Sequence, residues 1–70
     1  MEEMIEKSYS MGYQASPDIA SSPYLNKEFM DFIPNCDFGN ESVVKLRIKM
    51  YQAYIKGWTK GHLDKVWSVE

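Results

Sequence analysis

Apolar and small side chains in the first fifteen residues recur at the spacing of one face of an α-helix. At about 100° per residue, one arc collects Met4, Ile5, Ser8, Tyr9, Met11, Gly12 and Ala15, and the other collects Glu3, Glu6, Lys7, Ser10 and Gln14. The pattern predicts an amphipathic helix over residues 2–15. We expect Ser16-Pro17 to end it, because the residue before a proline avoids the helical backbone conformation.

A shorter apolar pattern follows the turn-rich segment SPDIASSPY. Ser22 is suited to cap a helix that has Pro23 at its first position and that Pro34 stops. The segment would place Leu25, Phe29 and Phe32 on one side. We therefore predict a short second helix that packs through this side.

The longest pattern begins after the loop NCDFGN, where Asn40 is a suitable N-cap and Glu41 suits the first turn. The predicted helix runs to about Val66. Its apolar arc collects Val43, Val44, Ile48, Tyr51, Tyr54, Ile55, Trp58, His62 and Val66, and the opposite side collects Lys45, Lys49, Gln52, Lys56 and Lys60. Strand alternation is not sustained, and no heptad pattern is long enough to predict a coiled coil. The prediction is a single all-α domain over residues 1–70, a small helical hairpin of two longer helices with a short middle helix.

Two glycines interrupt the long helix, although each costs up to about 1 kcal/mol relative to alanine. Gly57 and Gly61 lie at one edge of the apolar arc, and Gly12 lies within the arc of the first helix. Glycines in these positions let two backbones approach closely. We predict that the first and last helices cross near Gly12 and Gly57, with Tyr13 and Trp58 beside the crossing. A hinge or a ligand-approach site is the alternative interpretation.

Composition narrows the possible chemistry. The chain has 70 residues with one cysteine, Cys36, and one histidine, His62, which excludes an intrachain disulfide and a zinc site of the Cys/His type. A lone thiol fits a reducing compartment, where we expect Cys36 to be inert. The acidic start has no apolar run that resembles a signal peptide or a membrane span. We expect a cytoplasmic protein with no membrane partner, no cofactor, no metal site and no catalytic residues.

Charge is divided unevenly along the chain. Residues 1–41 hold eight acids and two lysines, a charge of −6, whereas residues 42–70 hold six bases and two acids, a charge of +4. The halves would attract each other on folding, or the basic half would meet a polyanion. A solvated surface is the favoured interpretation of the lysine stripe, and polyanion binding is the alternative, with no specific DNA recognition. The stripe consists of Lys45, Lys49, Lys56 and Lys60.

Two polar residues fall within the apolar arc of the last helix. Arg47 is expected either to pair with a carboxylate such as Glu28 or Asp31, or to be exposed in a binding patch. His62 is expected to be a packed, hydrogen-bonded side chain rather than a general base, because no nucleophile with a matching third group accompanies it.

Short glycine and aromatic motifs give the chain a family resemblance. MGYQA at 11–15, SPY at 22–24 and KGW at 56–58 resemble the pattern of the ribosome modulation factor family, small two-helix proteins with a Gly-Tyr-x-Ala helix, a Pro-Tyr loop and a Gly-Trp helix. The resemblance implies a ribosome-associated factor that binds ribosomal RNA. The chain departs from that pattern in a longer segment between Tyr24 and Gly57 and in an acidic N-terminal half.

Ten aromatic residues exceed what three short helices can bury, which favours a protein-binding surface. We expect a small non-catalytic regulator that binds and modulates a larger protein target, a class that includes phage-encoded inhibitors of host proteins. A ribosome-associated factor is the first alternative and a structural homo-oligomer, such as a homodimer, is the second. The predicted partner-binding residues lie in loops or at the C-terminal end: Tyr24, Asp37, Phe38 and Trp67.

Overall fold

A computed structural model describes residues 2–16, 22–35 and 37–67. It contains a long helix α1 (Glu2–Ala15), a short helix α2 (Lys27–Phe32) and a second long helix α3 (Glu41–Lys65). The described residues contain no strand, so the all-α prediction with two longer helices and a short middle one is confirmed. The predicted bounds of α1 are correct, and those of α3 are correct to within one residue.

The start of α2 differs from the prediction. Ser22 does not cap this helix, because the helix begins only at Lys27. The carbonyl oxygen of Ser22 accepts hydrogen bonds from the backbone N–H groups of Leu25 and Asn26 in the turn that precedes it. Asn26 is the N-cap, and its side chain accepts a 3.0 Å hydrogen bond from the Phe29 N–H. Leu25 therefore lies in the turn and is exposed, whereas the sequence pattern had placed it on the packing side of the helix.

The two long helices run in the same direction, side by side, so the predicted hairpin, in which they would be antiparallel, is wrong. Ile5 and Leu46 line one cavity near the start of both helices, and Ser16 lies against Gly61 near the end of both. The segment that contains α2 therefore crosses from the end of α1 back to the start of α3.

Glycines form the closest contact between α1 and α3. A Cβ atom at Gly12 would overlap the Tyr54 carbonyl oxygen and lie 2.8 Å from its carbon, and one at Gly57 would meet the Tyr9 carbonyl group in the same way. These distances are shorter than real Cβ contacts, so each helix backbone fits against the glycine of the other. The predicted crossing near Gly12 and Gly57 is confirmed, and the backbones of Tyr13 and Trp58 lie beside it.

The core lies where α2 packs on the first half of α3. Phe29 of α2 is fully buried, and its ring lies 4.6 Å from the fully buried ring of Tyr54. The Tyr54 hydroxyl accepts a 2.8 Å hydrogen bond from the side-chain amide of Asn26. Asn26 thus caps α2 and satisfies a buried hydroxyl of α3. The buried cluster consists of Phe29, Ile33, Leu46, Met50 and Tyr54, with Met4, Ile5, Met11, Ala15, Phe32 and Tyr51 partly buried against it.

The buried side of α3 is not centred on its most apolar residues. Its buried positions are Leu46, Met50, Ala53, Tyr54, Gly57 and Gly61. Of the predicted arc, Tyr54 belongs to this set, whereas Ile48 and Ile55 are each 51% exposed. Trp58, which lies within the predicted apolar arc, is half-buried. The reason is the glycine contact, because the backbone of α1 can approach α3 most closely where side chains are small.

A group of polar contacts connects the C-terminal ends of α1 and α3. The Tyr13 hydroxyl donates a 2.8 Å hydrogen bond to Asp64 Oδ2. Lys65 Nζ donates to the carbonyl oxygens of Tyr13 and Ser16, both at 2.9 Å. The hydrogen bond from Tyr13 lowers the pKa of Asp64 and, reciprocally, raises the pKa of Tyr13.

The contact between Tyr13 and Asp64 should make stability depend on pH at both extremes. Because the folded-state pKa of Asp64 is lowered, its contribution is complete above about pH 4 and is lost as the pH falls through the lowered pKa. Because the pKa of Tyr13 is raised, its contribution is complete below about pH 10 and is lost as the pH rises through the raised pKa. We expect Tyr13→Phe to reduce the change in urea midpoint between pH 7 and pH 3, whereas the control Tyr24→Phe should not. Equal pH dependence in both variants would contradict this assignment.

Candidate protein interaction surface

One side of α3 presents a continuous run of apolar and aromatic side chains that α1 does not cover. We call it the α3 apolar face. Ile48 and Ile55, both half-exposed, lie one turn to either side of Tyr51. Arg47 lies beside the run, with its guanidinium 5.8 Å from the centre of the Tyr51 ring, and the run itself contains no lysine, aspartate or glutamate. The face consists of Val44, Ile48, Tyr51, Ile55, Trp58, His62 and Val66.

Tyr24 forms a wall beside this face. Its ring stacks on that of Tyr51 with centroids 5.2 Å apart, and the side chain remains 71% exposed. The edge of the buried Phe29 ring supports Tyr51 from the core side at 5.6 Å. The exposed aromatic pair thus rests on the fixed core, so it is preorganised for contact with another molecule.

An apolar groove opens between the turn after residue 22 and the C-terminal half of the α3 apolar face. It encloses about 220 Å³ and is lined by Ser22, Pro23, Tyr54, Ile55 and Trp58. Its walls are almost entirely apolar, and none of the described residues that line it is charged. The groove can therefore accept an apolar side chain from a partner.

His62 and the two tryptophans make a cluster at the C-terminal end of the face. The imidazole stacks on the Trp58 ring at 5.1 Å and 8° between planes. Its Nε2 atom accepts a 3.2 Å hydrogen bond from Trp67 Nε1, while Nδ1 is buried without a hydrogen-bond partner among the described residues. The predicted packed and hydrogen-bonded histidine is confirmed. The hydrogen bond holds Trp67 beside the face.

The four predicted partner-binding residues are exposed but do not form one site. Phe38 is 87% exposed and Trp67 is 64% exposed. Phe38 precedes α3 and Trp67 follows it, and a helix of 25 residues separates its ends by about 37 Å at 1.5 Å per residue. Tyr24 lies between them, against the middle of α3. Asp37 shapes its own loop, since its carboxylate accepts a 3.1 Å hydrogen bond from the Gly39 N–H.

Sequence reasoning did not identify Ile48 and Ile55 as surface residues, because both belong to the apolar arc, the side of a helix that usually faces the core. A signal was available in the glycine positions. Gly57 and Gly61 lie at one edge of the arc, so a helix that docks on them leaves the opposite edge uncovered.

Arg47 has neither of its two expected environments. One guanidinium nitrogen donates a hydrogen bond to the carbonyl oxygen of Pro34, and the guanidinium lies over the Tyr51 ring at 5.8 Å. The pairing with Glu28 or Asp31 is therefore wrong. A backbone carbonyl satisfies the charge instead, and the side chain is half-buried rather than displayed in a patch.

The lysine stripe is partly neutralised by its own helix. Lys45 pairs with Glu41 at 3.4 Å and Lys60 pairs with Asp64 at 3.3 Å, both in exposed positions. Lys49 and Lys56 line a shallow groove that also contains Glu6 of α1. Carboxylates therefore accompany the stripe along its length, which weakens its attraction for a polyanion.

The described residues contain no group of three or more His, Cys, Asp or Glu side chains that could hold a metal ion. No helix in the described part of the chain is long and apolar enough to cross a bilayer. Cys36 lies outside the described residues, so its expected inertness stays a prediction.

The chain matches no family model, no curated protein and no solved structure. The resemblance to the ribosome modulation factor family therefore stays a hypothesis from its motifs.

Proposed function

We propose that this protein is a small non-catalytic regulator that binds a larger protein target through the α3 apolar face. The observation that supports the proposal is the half-exposed pair Ile48 and Ile55 beside the stacked rings of Tyr24 and Tyr51. Contiguous apolar surface of this kind often marks an interaction site on a soluble protein. Tyrosine and tryptophan are also the residues that most often dominate binding energy.

The geometry of the face favours a protein rather than a small molecule. The groove beside Pro23 is open on the surface and holds about 220 Å³, less than the roughly 300 to 1,000 Å³ of a typical small-molecule pocket. An aliphatic or aromatic side chain fits such a depression, and Tyr24 and Ile48 would extend the contact around it. An exposed apolar surface with a shallow depression is sufficient for an inhibitor that acts by covering a surface of another protein, as a phage-encoded inhibitor of a host protein does.

A ribosome-associated factor that binds ribosomal RNA is the second candidate, supported by the motif resemblance and the lysine stripe. Affinity for RNA rests chiefly on phosphate neutralisation. Two of the four stripe lysines already have carboxylate partners. We therefore rank RNA binding below protein binding.

The α3 apolar face can be tested by affinity capture from a lysate of the native host. We expect Ile55→Asp to weaken capture of the target by tenfold or more, equivalent to about 1.4 kcal/mol, because it places a charge in the middle of the face. Leu63→Asp is the matched control, since Leu63 is 49% exposed and lies about 80° further around the helix. Circular dichroism of both variants should match that of the parent protein.

Two outcomes would contradict the proposal. Equal capture of the target by Ile55→Asp, Leu63→Asp and the parent would show that the face is not the binding surface. Recovery of ribosomes in a salt-sensitive manner, abolished by Lys49→Glu with Lys56→Glu, would favour the ribosomal candidate instead.

A further inference from the structure

We infer that the partner segment that covers the α3 apolar face is an acidic amphipathic helix, whose carboxylates lie against Lys49 and Lys56. This inference rests on the proposed function, because both place another protein on the same face. It adds the chemistry of the segment that binds there.

Each isoleucine of the face is followed in sequence by a lysine. Lys49 follows Ile48 and Lys56 follows Ile55, and all four residues are exposed. Consecutive residues of a helix lie about 100° apart around its axis, so the two lysines lie along one edge of the apolar face. They are two helical turns, or about 10.5 Å, apart along the axis, as the two isoleucines are. We call Lys49 and Lys56 the lysine pair.

The lysine pair has no carboxylate partner among the described residues. Both acids of α3 are already paired within their own helix, Glu41 with Lys45 and Asp64 with Lys60. Glu6 of α1 lines the same shallow groove as the lysine pair, but in the described part of the chain it forms no ion pair with either ammonium group. The lysine pair is therefore the part of the lysine stripe that is available to a partner's carboxylates.

Arg47 supplies a third positive charge at the opposite edge of the face. Its guanidinium lies 5.8 Å from the centre of the Tyr51 ring, and one of its nitrogens donates a hydrogen bond to the carbonyl oxygen of Pro34. A guanidinium group has several further N–H donors, so it can bind a carboxylate as well. Positive charge thus lies along both edges of the apolar face.

Charge complementarity therefore selects the chemistry of the occupant. A purely apolar partner would remove water from the lysine pair without replacing it, and a basic partner would be repelled. Carboxylates on both sides of an apolar stripe match the face on all three counts. A stripe of this kind is presented by an amphipathic helix, which docks through apolar side chains three, four and seven residues apart. The apolar groove beside Pro23 has room for one such side chain.

Two matched synthetic peptides test this chemistry on the full chain. Both are amphipathic helices of about 18 residues, or five turns, with leucines on one side. The first has glutamates at the flanking positions, and the second has lysines there. We expect the parent protein to bind the glutamate peptide at least about tenfold more tightly at about 50 mM salt, and the ratio to fall at about 300 mM because screening shortens the range of the charges. Fluorescence anisotropy measures both affinities.

Substitution of the lysine pair should change this preference. Lys49→Glu with Lys56→Glu should reverse it, and Lys49→Gln with Lys56→Gln should remove most of it without placing a new carboxylate near Glu6. Lys7→Glu with Lys27→Glu is the matched control, because it changes the net charge by the same amount as the first variant at the two lysines that lie outside α3. The control should keep most of the preference for the glutamate peptide.

The apolar part of the contact is tested in the same assay. Ile55→Asp should weaken binding of the glutamate peptide at least about tenfold. Equal binding of the two peptides by the parent protein, no binding of either, or a preference that survives both substitutions of the lysine pair would overturn the inference. Single-stranded polyuridine RNA that binds more tightly than the glutamate peptide, and that Ile55→Asp leaves bound, would show instead that the lysines bind a polyanion.

The proposed function is judged separately, by capture of the target from the host lysate. Loss of capture in Ile55→Asp, together with equal binding of the two peptides by the parent protein, would retain the proposed function and reject the acidic helix. A preference for the glutamate peptide that depends on the lysine pair and on Ile55 supports the inference.

Discussion

Gly57→Ala is expected to lower the free energy of unfolding by about 2 kcal/mol, although helix propensity alone would raise it by up to about 1 kcal/mol. The new Cβ would overlap the carbonyl group of Tyr9. Backbone atoms cannot rotate away as a side chain does, so the two helices must separate and loosen contacts along their length. Gly57→Leu should cost more than about 3 kcal/mol for the same reason. Urea denaturation followed by circular dichroism measures both effects.

Gly39→Ala is the matched control for this prediction. A Cβ at Gly39 would meet Asp37 Oδ1 at 3.5 Å, an ordinary contact, so the change should stay within about 1 kcal/mol. If Gly57→Ala left the urea midpoint unchanged or raised it, the close contact would be wrong and the hinge interpretation of the glycine would regain support.

Asn26→Ala is expected to lower the free energy of unfolding by about 2 kcal/mol, because one side chain has two separate roles. The substitution removes the cap of α2, which is worth about 1 kcal/mol. It also removes the 2.8 Å hydrogen bond that the Asn26 amide donates to the hydroxyl of the fully buried Tyr54, and such a hydrogen bond contributes about 1 kcal/mol.

Comparison with Asn40→Ala isolates the second role of Asn26, which is its hydrogen bond to Tyr54. Asn40 caps α3 by accepting hydrogen bonds from Ser42 and Val43 in an exposed position, so its substitution should cost about 1 kcal/mol. A cycle of Asn26→Ala and Tyr54→Phe, singly and together, then measures the coupling between the two side chains. Equal costs for Asn26→Ala and Asn40→Ala, with no coupling in the cycle, would refute the dual role.

The helices that the sequence predicts well have strong local signals. Asn40 followed by Glu41 marks the start of α3, and a regular apolar period defines most of its length. The bounds of α1 follow from its period and from Ser16-Pro17. The predicted start of α2 was wrong because either Ser22, followed by Pro23, or Asn26 could serve as the N-cap of a helix. The choice between them depends on the buried Tyr54 hydroxyl, which a local pattern does not contain.

The candidate site was harder to predict because it depends on which side of α3 faces α1. Hydropathy ranks Ile48 and Ile55 above Ala53 and Gly57, yet the smaller residues lie in the contact. Close backbone approach brings many atoms into dispersion contact along the helices, and the bulkier residues would hold the helices apart. Tyr24 was correctly predicted to lie on the surface. Its ring stacks on Tyr51 because of the conformation of the turn that contains it, and the spacing of residues along the sequence does not specify that conformation.

The parallel arrangement of α1 and α3 also has a consequence for how the chain folds. Their contacts join residues far apart in sequence, as in the bond between Tyr13 and Asp64, which are 51 positions apart. Loop closure over such distances opposes folding before any contact compensates for it, so small helical proteins with mostly local contacts should fold faster than this one. During synthesis, α1 emerges first, and it can pack against the glycines of α3 only when α3 is nearly complete. Its sequence must therefore stay soluble on its own, and the four charged residues among positions 2–7 suit that requirement.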